Sequence, residues 1–283
     1  MPLTLDHIAI RVQDLRQAVA DFSELGFTVQ LGGTYSDGIL HNALIGFADG
    51  SYFELIAPLK DVPQHRWASR DPDTHEREGL TDYALLSRAL GATIDAAHGR
   101  GLRYEGPIPG GRIRPDGTRL EWQIGKPLTR DLPSLCADLT PRFLRLAEGE
   151  VRMHPNGVSS IASVALAVRD LNASVQRYRA LLGHALDARR AGLPGEGVEL
   201  ALFPVGHTIV MLLSPTVSPH TTMHAAHAHD ASSRPAFAER LRTHLESRGE
   251  GLFGVSLRTK HASQIRVLPL SLTHHAPVEL VGL

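Results

Sequence analysis

The chain has 283 residues, which is enough for two domains of ordinary size with a hydrophobic core in each. Its 29 Lys and Arg residues are balanced by 30 Asp and Glu residues, and a net charge of −1 argues against nucleic acid as a partner. Hydrophobic residues make up 42%, but no apolar run has membrane-spanning length and the N-terminus lacks a basic, apolar leader, so we expect a soluble cytoplasmic protein without a membrane partner.

The first part of the chain carries a β-α-β-β-β pattern. Asp14 stands at the N-cap position before apolar residues with helical spacing, and Gly26 ends that helix. Asp49 and Gly50 are a strong two-residue hairpin signal between the last two strands. The predicted strands of this unit cover residues 3–12, 27–31, 40–48 and 51–57.

The same pattern restarts after a polar connection over residues 58–79. Its hairpin turns at Asp116 and Gly117, as the first hairpin turns at Asp49 and Gly50. The predicted strand, helix and hairpin of this second unit cover residues 80–86, 87–99 and 112–124.

Two further units follow a short predicted helix over residues 139–146 and a turn cluster at 154–157. The third unit repeats the rhythm of the first from Ile161, and its helix ends at Gly183. The fourth unit is less regular and begins with a helix over residues 235–248. The histidine-rich segment at 220–230 is interpreted as a connector. The remaining predicted strands cover residues 198–204, 207–213, 251–259 and 278–283.

The first two units also repeat a pair of metal-donor residues. When the units are superimposed, His7 falls on Asp82 and Glu54 falls on Glu121. Since neighbouring side chains on a strand face opposite ways, alternation of apolar residues predicts that all four donors lie on the open face of the sheet. One imidazole and three carboxylates there would suit Zn²⁺, Ni²⁺, Co²⁺, Mn²⁺ or Fe²⁺. Two plain ion pairs are the alternative, Arg112 with Glu121 and Arg11 with Glu54.

Several segments resemble the vicinal oxygen chelate superfamily, and in particular its glyoxalase-like branch. The resemblance is carried by residues 5–10 (LDHIAI), 12–15 (VQDL), 25–29 (LGFTV), 41–44 (HNAL) and 52–56 (YFELI). It implies an α+β fold of four βαβββ modules, paired into two glyoxalase-like domains. Each domain is expected to be a cupped eight-stranded mixed sheet with helices on its outer face. We expect the domains at 1–128 and 158–283, joined by a connecting segment over 129–157.

The resemblance also implies roles for the donors. The metal ligands would be His7, Glu54 and Glu121, with Asp82 where many relatives have His or Gln. Glu54 or Glu121 would then act as the general base of a lyase or isomerase of the glyoxalase I type. The second half of the chain keeps the pattern without the donors: Ser163, Val210 and Gly254 replace them, and Glu279 alone retains its place.

A group of further residues is predicted to line the cup and bind substrate. If each hairpin closes on its Asp-Gly pair, Arg114 lies opposite Arg119, and two like charges on an inward face favour an anion between them. The alternative is that both guanidinium groups reach solvent at the hairpin tip. The predicted substrate-binding residues are Arg11, His41, Asn42, Tyr52, Arg114, Arg119 and Gln123.

Three functions follow from these observations. The favoured one is a metal-dependent lyase or isomerase that acts on a small oxygenated, anionic substrate. The second is a metal-free protein that binds and sequesters a small molecule without chemistry. The third is an extradiol-type dioxygenase, which in the family needs two histidines and one glutamate, whereas this sequence places one histidine at those positions. Closed cups within one chain are compatible with a monomer or a homodimer.

Overall fold

The computed structural model describes residues 3–59, 77–183, 188–216 and 236–282. The predicted connector at 220–230 therefore lies outside the described residues, as does most of the predicted connection at 58–79. Among the described residues, no helix has the length and apolar character needed to cross a membrane. The described helices are α1 (Leu15–Glu24), α2 (Leu90–Gly99), α3 (Arg142–Arg145), α4 (Leu171–Leu182) and α5 (Phe237–Ser247).

The first two units form a closed eight-stranded barrel in the order β1-β4-β3-β2-β6-β7-β8-β5. β1 pairs in parallel with β4, and β5 pairs in parallel with β8, so each unit has the same internal order. Antiparallel pairing of β1 with β5 and of β2 with β6 closes the barrel. The strands are β1 (Thr4–Arg11), β2 (Gln30–Tyr35), β3 (Leu40–Gly46), β4 (Tyr52–Pro58), β5 (Gly79–Leu86), β6 (Tyr104–Ile113), β7 (Arg119–Pro127) and β8 (Ser134–Asp138).

The third and fourth units form a second sheet, whose described strands are ordered β10-β11-β12-β9-β13-β15-β14. It repeats the parallel pairing of the first strand of a unit with its last, here β9 with β12 and β13 with β15. The predicted α+β class is confirmed. Its strands are β9 (Val158–Ala167), β10 (Arg189–Leu193), β11 (Val198–Val205), β12 (Thr208–Pro215), β13 (Gly251–Thr259), β14 (Arg266–Val267) and β15 (Val278–Gly282).

Helix α1 shows which face of the barrel is the outside. The Asp14 side chain accepts the backbone N–H groups of Arg16 and Gln17 and so caps the helix. The buried face of the helix includes Ala18 and Phe22, which belong to one core with Ile8 and Ile10 of β1. His7 and Glu54 lie on the other side of their strands, and that side is the barrel interior.

Both hairpins close with one residue more than predicted. In the first, Gly50 donates to the carbonyl of Phe47 and has a φ of 85°; in the second, Gly117 donates to Arg114 and also has a φ of 85°. This is a turn followed by a left-handed glycine, which makes a three-residue loop. The predicted cross-strand pairs are therefore wrong by one residue: Glu54 lies opposite Leu44, and Arg112 lies opposite Leu120.

Strand β8 was not predicted, and it changes how the two units correspond. It lies inside the predicted connecting segment 129–157 and pairs with β5 as β4 pairs with β1. The last strand of the second unit is thus β8, and β7 corresponds to β3. Because Ala9 pairs with Glu54 and Ala84 pairs with Ser134, Ser134 is the counterpart of Glu54. The division of the chain at 128 and 158 stays a prediction.

Candidate functional site in the barrel

The centre of the barrel interior brings His7 of β1 against Glu54 of β4. The imidazole Nε2 lies 3.5 Å from Oε2 of Glu54, and the ring stacks on Tyr52 with 4.9 Å between centroids. The His7 side chain keeps 16% of its accessible surface, while Glu54 is buried. The pair is therefore enclosed by protein, with the imidazole the more accessible of the two.

The other imidazole nitrogen is held by the neighbouring residue. Nδ1 of His7 lies 2.8 Å from Oδ2 of Asp6. Neighbours on a strand normally face opposite ways, but the pairing of β1 with β5 is irregular between Leu5 and His7, and both side chains enter the same network. Burial disfavours the imidazolium, yet the hydrogen bond and charge of Asp6 and the charge of Glu54 outweigh it, so the pKa of His7 is raised.

Two arginines neutralise Asp6. Arg145 Nη1 lies 3.0 Å from Oδ2 of Asp6, and Arg142 Nη1 lies 2.6 Å from its Oδ1. Burial favours the neutral carboxyl, but Arg145, the bond from His7 and Arg142 together hold the pKa of Asp6 well below its usual range. Asp6 is therefore an anion without solvent contact that orients the His7 ring.

Glu54 is positioned through its other oxygen. The Tyr35 hydroxyl donates to Oε1 at 2.5 Å, and the amide of Asn42 donates to the same atom. Oε2 remains directed at His7. Burial, together with the charge of Glu54 and the hydrogen bond to it, holds the pKa of Tyr35 well above its usual range, so the hydroxyl stays a donor.

Side chains fill the end of the barrel next to Asp6. Arg145 from α3 also reaches Tyr52 Oη at 3.0 Å and Cys136 Sγ at 3.3 Å. Leu146 packs with Leu44 and Tyr52. A second apolar cluster of Ala84, Leu120, Trp122 and Cys136 lines the interior beside it. Access to His7 is therefore not from this end.

Six of the predicted residues share the interior face. Tyr52 and Asn42 contact His7 and Glu54 directly, and Arg11 is buried on the same face of β1. Asp82 lies on β5 beside Ala9 and accepts a hydrogen bond from Ser134 at 2.6 Å. Its side chain is exposed and also lines a pocket next to the barrel. The residues brought to this face are His7, Arg11, Asn42, Tyr52, Glu54 and Asp82.

The predicted placement of the β7 residues is wrong. Leu120 and Trp122 point into the barrel, so Glu121 and the other residues of its face point outward. Glu121 forms a surface ion pair with Arg119 at 3.1 Å. Gln123 shares this outer face. The apolar residues of β7 fill the barrel instead of packing under a helix. The interior and exterior faces of this strand are therefore the reverse of those predicted.

Two further predicted residues also lie elsewhere. His41 lies opposite Ala57 on the outer face, because the longer first hairpin puts Asn42 instead of His41 beside Glu54. Arg114 pairs with Asp116 at the tip of the second hairpin and does not oppose Arg119, whose cross-strand partner is Ile113. The predicted anion site between Arg114 and Arg119 is therefore not formed.

Sequence reasoning missed most of the residues that hold His7 and Glu54. Asp6 is adjacent to His7, but strict alternation assigned it to the opposite face. Tyr35 lies on a strand whose predicted end came four residues too early. Arg145 sits on a short helix with no periodic signal. The one usable sign was the pair of arginines three residues apart, Arg142 and Arg145, in an otherwise apolar stretch.

The donor set meets part of the requirements of a divalent metal site. Two ligands bound at about 2.0 to 2.2 Å to one ion lie roughly 3 to 3.5 Å apart, which matches the distance from His7 Nε2 to Glu54 Oε2. Metal-binding histidines usually donate their other nitrogen to a carboxylate, as His7 does to Asp6. The described residues contain no group of three His, Cys, Asp or Glu side chains able to hold an ion. His7 and Glu54 therefore fit two of the ligands, and Glu121 does not fit.

The second sheet has lost these donors. Ser163 takes the place of His7, and the register puts Met211, not the predicted Val210, in the place of Glu54. Gly254 takes the place of Asp82. Glu279 pairs with Ser256 as Ser134 pairs with Ala84, so it stands at the position of Ser134 and not at the predicted position of Glu121. It accepts a hydrogen bond from the hydroxyl of Ser256 at 2.6 Å, and Ser256 in turn contacts the hydroxyl of Ser163 at 3.0 Å. In the described part of this sheet, a serine hydroxyl and not an imidazole contacts the carboxylate of Glu279.

Paired βαβββ units that enclose donors from their first and last strands define a protein of the vicinal oxygen chelate type. The model of the glyoxalase-like domain family matches residues 5–182, and the chain belongs to this family. A search of curated proteins finds no match.

Solved structures share the tandem fold at low sequence identity. A hypothetical protein from Staphylococcus aureus has a TM-score of 0.71 and 12% identity, with 99% of this chain and 100% of that chain covered. A mutant of 4-hydroxymandelate synthase from Streptomyces coelicolor has a TM-score of 0.58 and 14% identity, with 96% of this chain and 78% of that chain covered. A xylose isomerase-like TIM barrel/4-hydroxyphenylpyruvate dioxygenase fusion protein has a TM-score of 0.52 and 14% identity, with 96% of this chain and 40% of that chain covered.

Proposed function

We propose that this protein is a metal-dependent enzyme of the lyase or isomerase type that acts on a small oxygenated substrate inside the barrel. The observation that carries the proposal is the chain of contacts from Asp6 through His7 to Glu54. Nε2 of His7 and Oε2 of Glu54 lie next to each other, so both can bind one ion. Asp6 orients the imidazole, and Tyr35 and Asn42 orient the carboxylate. Asp82, on the same face of the neighbouring strand, is the proposed third ligand, and its side chain would have to turn toward His7 to reach the ion.

Each residue of the site has a role in the proposed lyase or isomerase reaction. A divalent ion held by His7 and Glu54 would polarise a substrate oxygen and make the adjacent C–H bond more acidic. Asp6 fixes the His7 ring, so that Nε2 is the nitrogen left to bind a metal ion. Tyr35 and Asn42 hold Oε1 of Glu54, so Oε2 is the oxygen that would bind the ion and that, once released from it, would take the proton. Enclosure by Tyr52 and Trp122 limits the access of bulk water.

A second candidate is a protein that binds a small molecule without chemistry. It is favoured by one observation: in the described part of the chain, no third donor converges with His7 and Glu54. The dioxygenase alternative has less support, since Asp82 and Ser134 stand at the other two donor positions and neither is a histidine. Metal content separates the first two candidates.

The test is metal analysis of the untagged protein after growth with zinc, nickel, cobalt, manganese or iron. Wild type should carry close to stoichiometric metal with at least one of them, and His7→Gln and Glu54→Gln should lose it. Glu121→Gln is the matched control and should keep it, because Glu121 faces outward. Absence of metal in wild type under every supply would favour the binding protein, and metal retained by both interior variants would refute the site.

A further inference from the structure

A pocket of about 460 Å³ lies between the barrel and the second sheet, outside the His7 and Glu54 site. One wall is the barrel, with Asp82 at the start of β5 and Lys126 at the end of β7. The opposite wall is the end of α5 and the start of β13, with His244 and Arg248. Its volume falls in the range of sites for small organic molecules. Of its lining residues, Asp82 alone belongs to the site proposed above.

The pocket is lined by more cations than anions. Its cationic side chains are Arg77, Lys126, Arg130 and Arg248, against the carboxylates of Asp82 and Glu250. Glu250 already accepts the backbone N–H of Arg169 at 2.7 Å. A pocket with this balance concentrates anions, because part of its wall excludes water and leaves the charges less well screened than on an open surface.

Two of the arginines lie close enough for their charges to interact, and within the described residues neither forms an ion pair. Arg77 donates to the carbonyl of Ser247 at 2.6 Å, and Arg248 donates to the carbonyl of Glu78 at 3.0 Å. Burial and the nearby charge of Arg77 lower the pKa of Arg248. Backbone carbonyls accept single N–H groups but carry no net charge, so they do not neutralise the two guanidinium groups. A ligand oxyanion that accepts the remaining N–H groups would relieve this repulsion.

Lys126 supplies a third cation from the barrel side. Within the described residues, its ammonium group has neither an ion pair nor a hydrogen bond, and it lies near Asp82. The Asp82 carboxyl and the hydroxyl of Ser134 lie together on the same wall. They are suited to a hydroxyl group of a ligand whose charged group lies among Lys126 and the two arginines.

We propose that this pocket binds a small molecule that carries a multiply charged oxyanion, with Lys126 on the barrel and Arg77 and Arg248 on the opposite side as its cationic contacts. A phosphate ester and a compact polycarboxylate share this chemistry. The site joins the barrel to the second sheet, so an occupant stabilises their contact. The inference does not depend on a metal at His7 and Glu54.

The test uses the full chain in low-salt buffer with EDTA, titrated with inorganic phosphate and, separately, with malonate. Binding is followed by calorimetry and by the melting temperature. At least one anion should bind saturably and raise the melting temperature of wild type. Lys126→Gln should bind about tenfold more weakly, since a charge-assisted contact is removed. Lys260→Gln, at an exposed lysine outside the pocket, is the matched control.

Variants of Arg248 test the same pocket from the opposite wall, so the proposal stays testable if Lys126→Gln fails to fold. Arg248→Gln should weaken binding as Lys126→Gln does, and Arg248→Lys, which keeps the charge, should retain part of it. The stronger anion identifies the source, phosphate ester or polycarboxylate. Binding of neither anion, or equal binding by Lys126→Gln and Lys260→Gln, would overturn the proposal. Because EDTA is present throughout, neither result bears on the metal site.

Discussion

Replacing Arg145 by methionine removes the cation on which the buried acids of the barrel depend. Arg145 is 5% exposed and lies within 3.0 Å of Asp6 and 2.6 Å of Asp138, and Asp6 has no solvent contact. Removing one partner of a buried ion pair costs about 3 to 5 kcal/mol. Arg142 remains 2.6 Å from Asp6, so we expect a loss near the lower limit, about 3 kcal/mol.

The loss should depend on pH. In wild type the pKa of Asp6 is depressed, so its ionisation stabilises the fold above its unfolded pKa of about 3.9, and this contribution disappears as pH falls through the folded pKa. Without Arg145, burial is less well opposed and the pKa of Asp6 rises. The difference between wild type and Arg145→Met should therefore be largest at pH 7 and should narrow as the pH approaches about 4.

The assay is urea unfolding at pH 7 and at about pH 4, followed by fluorescence, to which Trp122 in the barrel contributes. Arg114→Met is the matched control, because Arg114 pairs with Asp116 at an exposed hairpin tip and its loss should leave stability nearly unchanged. A loss below about 1 kcal/mol in Arg145→Met, or an equal loss at both pH values, would refute this account of the barrel interior.

Two further predictions concern the pairing of β2 with β6, which closes the barrel, and the pocket next to the second sheet. Gly33→Ala should lower the free energy of unfolding by about 2 kcal/mol or more, because a Cβ there would lie 2.0 Å from the carbonyl oxygen of Ile113 on β6. Gly38→Ala, also at positive φ but in open space, should lose less, and equal losses would contradict the clash. Burial, with the charge of Arg248, lowers the pKa of His244 to about 4. The unfolded chain then binds a proton that the folded chain does not, so stability falls as pH drops from about 6.5 to 4. NMR titration should find this midpoint, and a higher one in Arg248→Gln; an ordinary midpoint in wild type would contradict it.

The repeated modules and one half of the site were predictable from the sequence. Local signals sufficed for α1, since Asp14 caps it as its position before an apolar helical pattern indicates, and Asp170 caps α4 in the same way. His7 and Glu54 were assigned correctly to one face, because strands β1 and β4 pack Ile8 and Phe53 under a helix-covered core. Because side chains alternate along a strand, the face of every residue follows once it is known which residues pack against the core.

The other residues of the site, and the exclusion of Glu121 from it, depend on tertiary structure alone. Trp122 is apolar whether it packs under a helix or fills a barrel, so the pattern of β7 could not say which way Glu121 points. A hairpin loop longer by one residue exchanged His41 for Asn42 beside Glu54. The contact of Arg145 with Asp6 joins residues 139 positions apart. Alternation along a strand is a local property that the sequence records, whereas the identity of the two faces depends on what packs against them from distant parts of the chain.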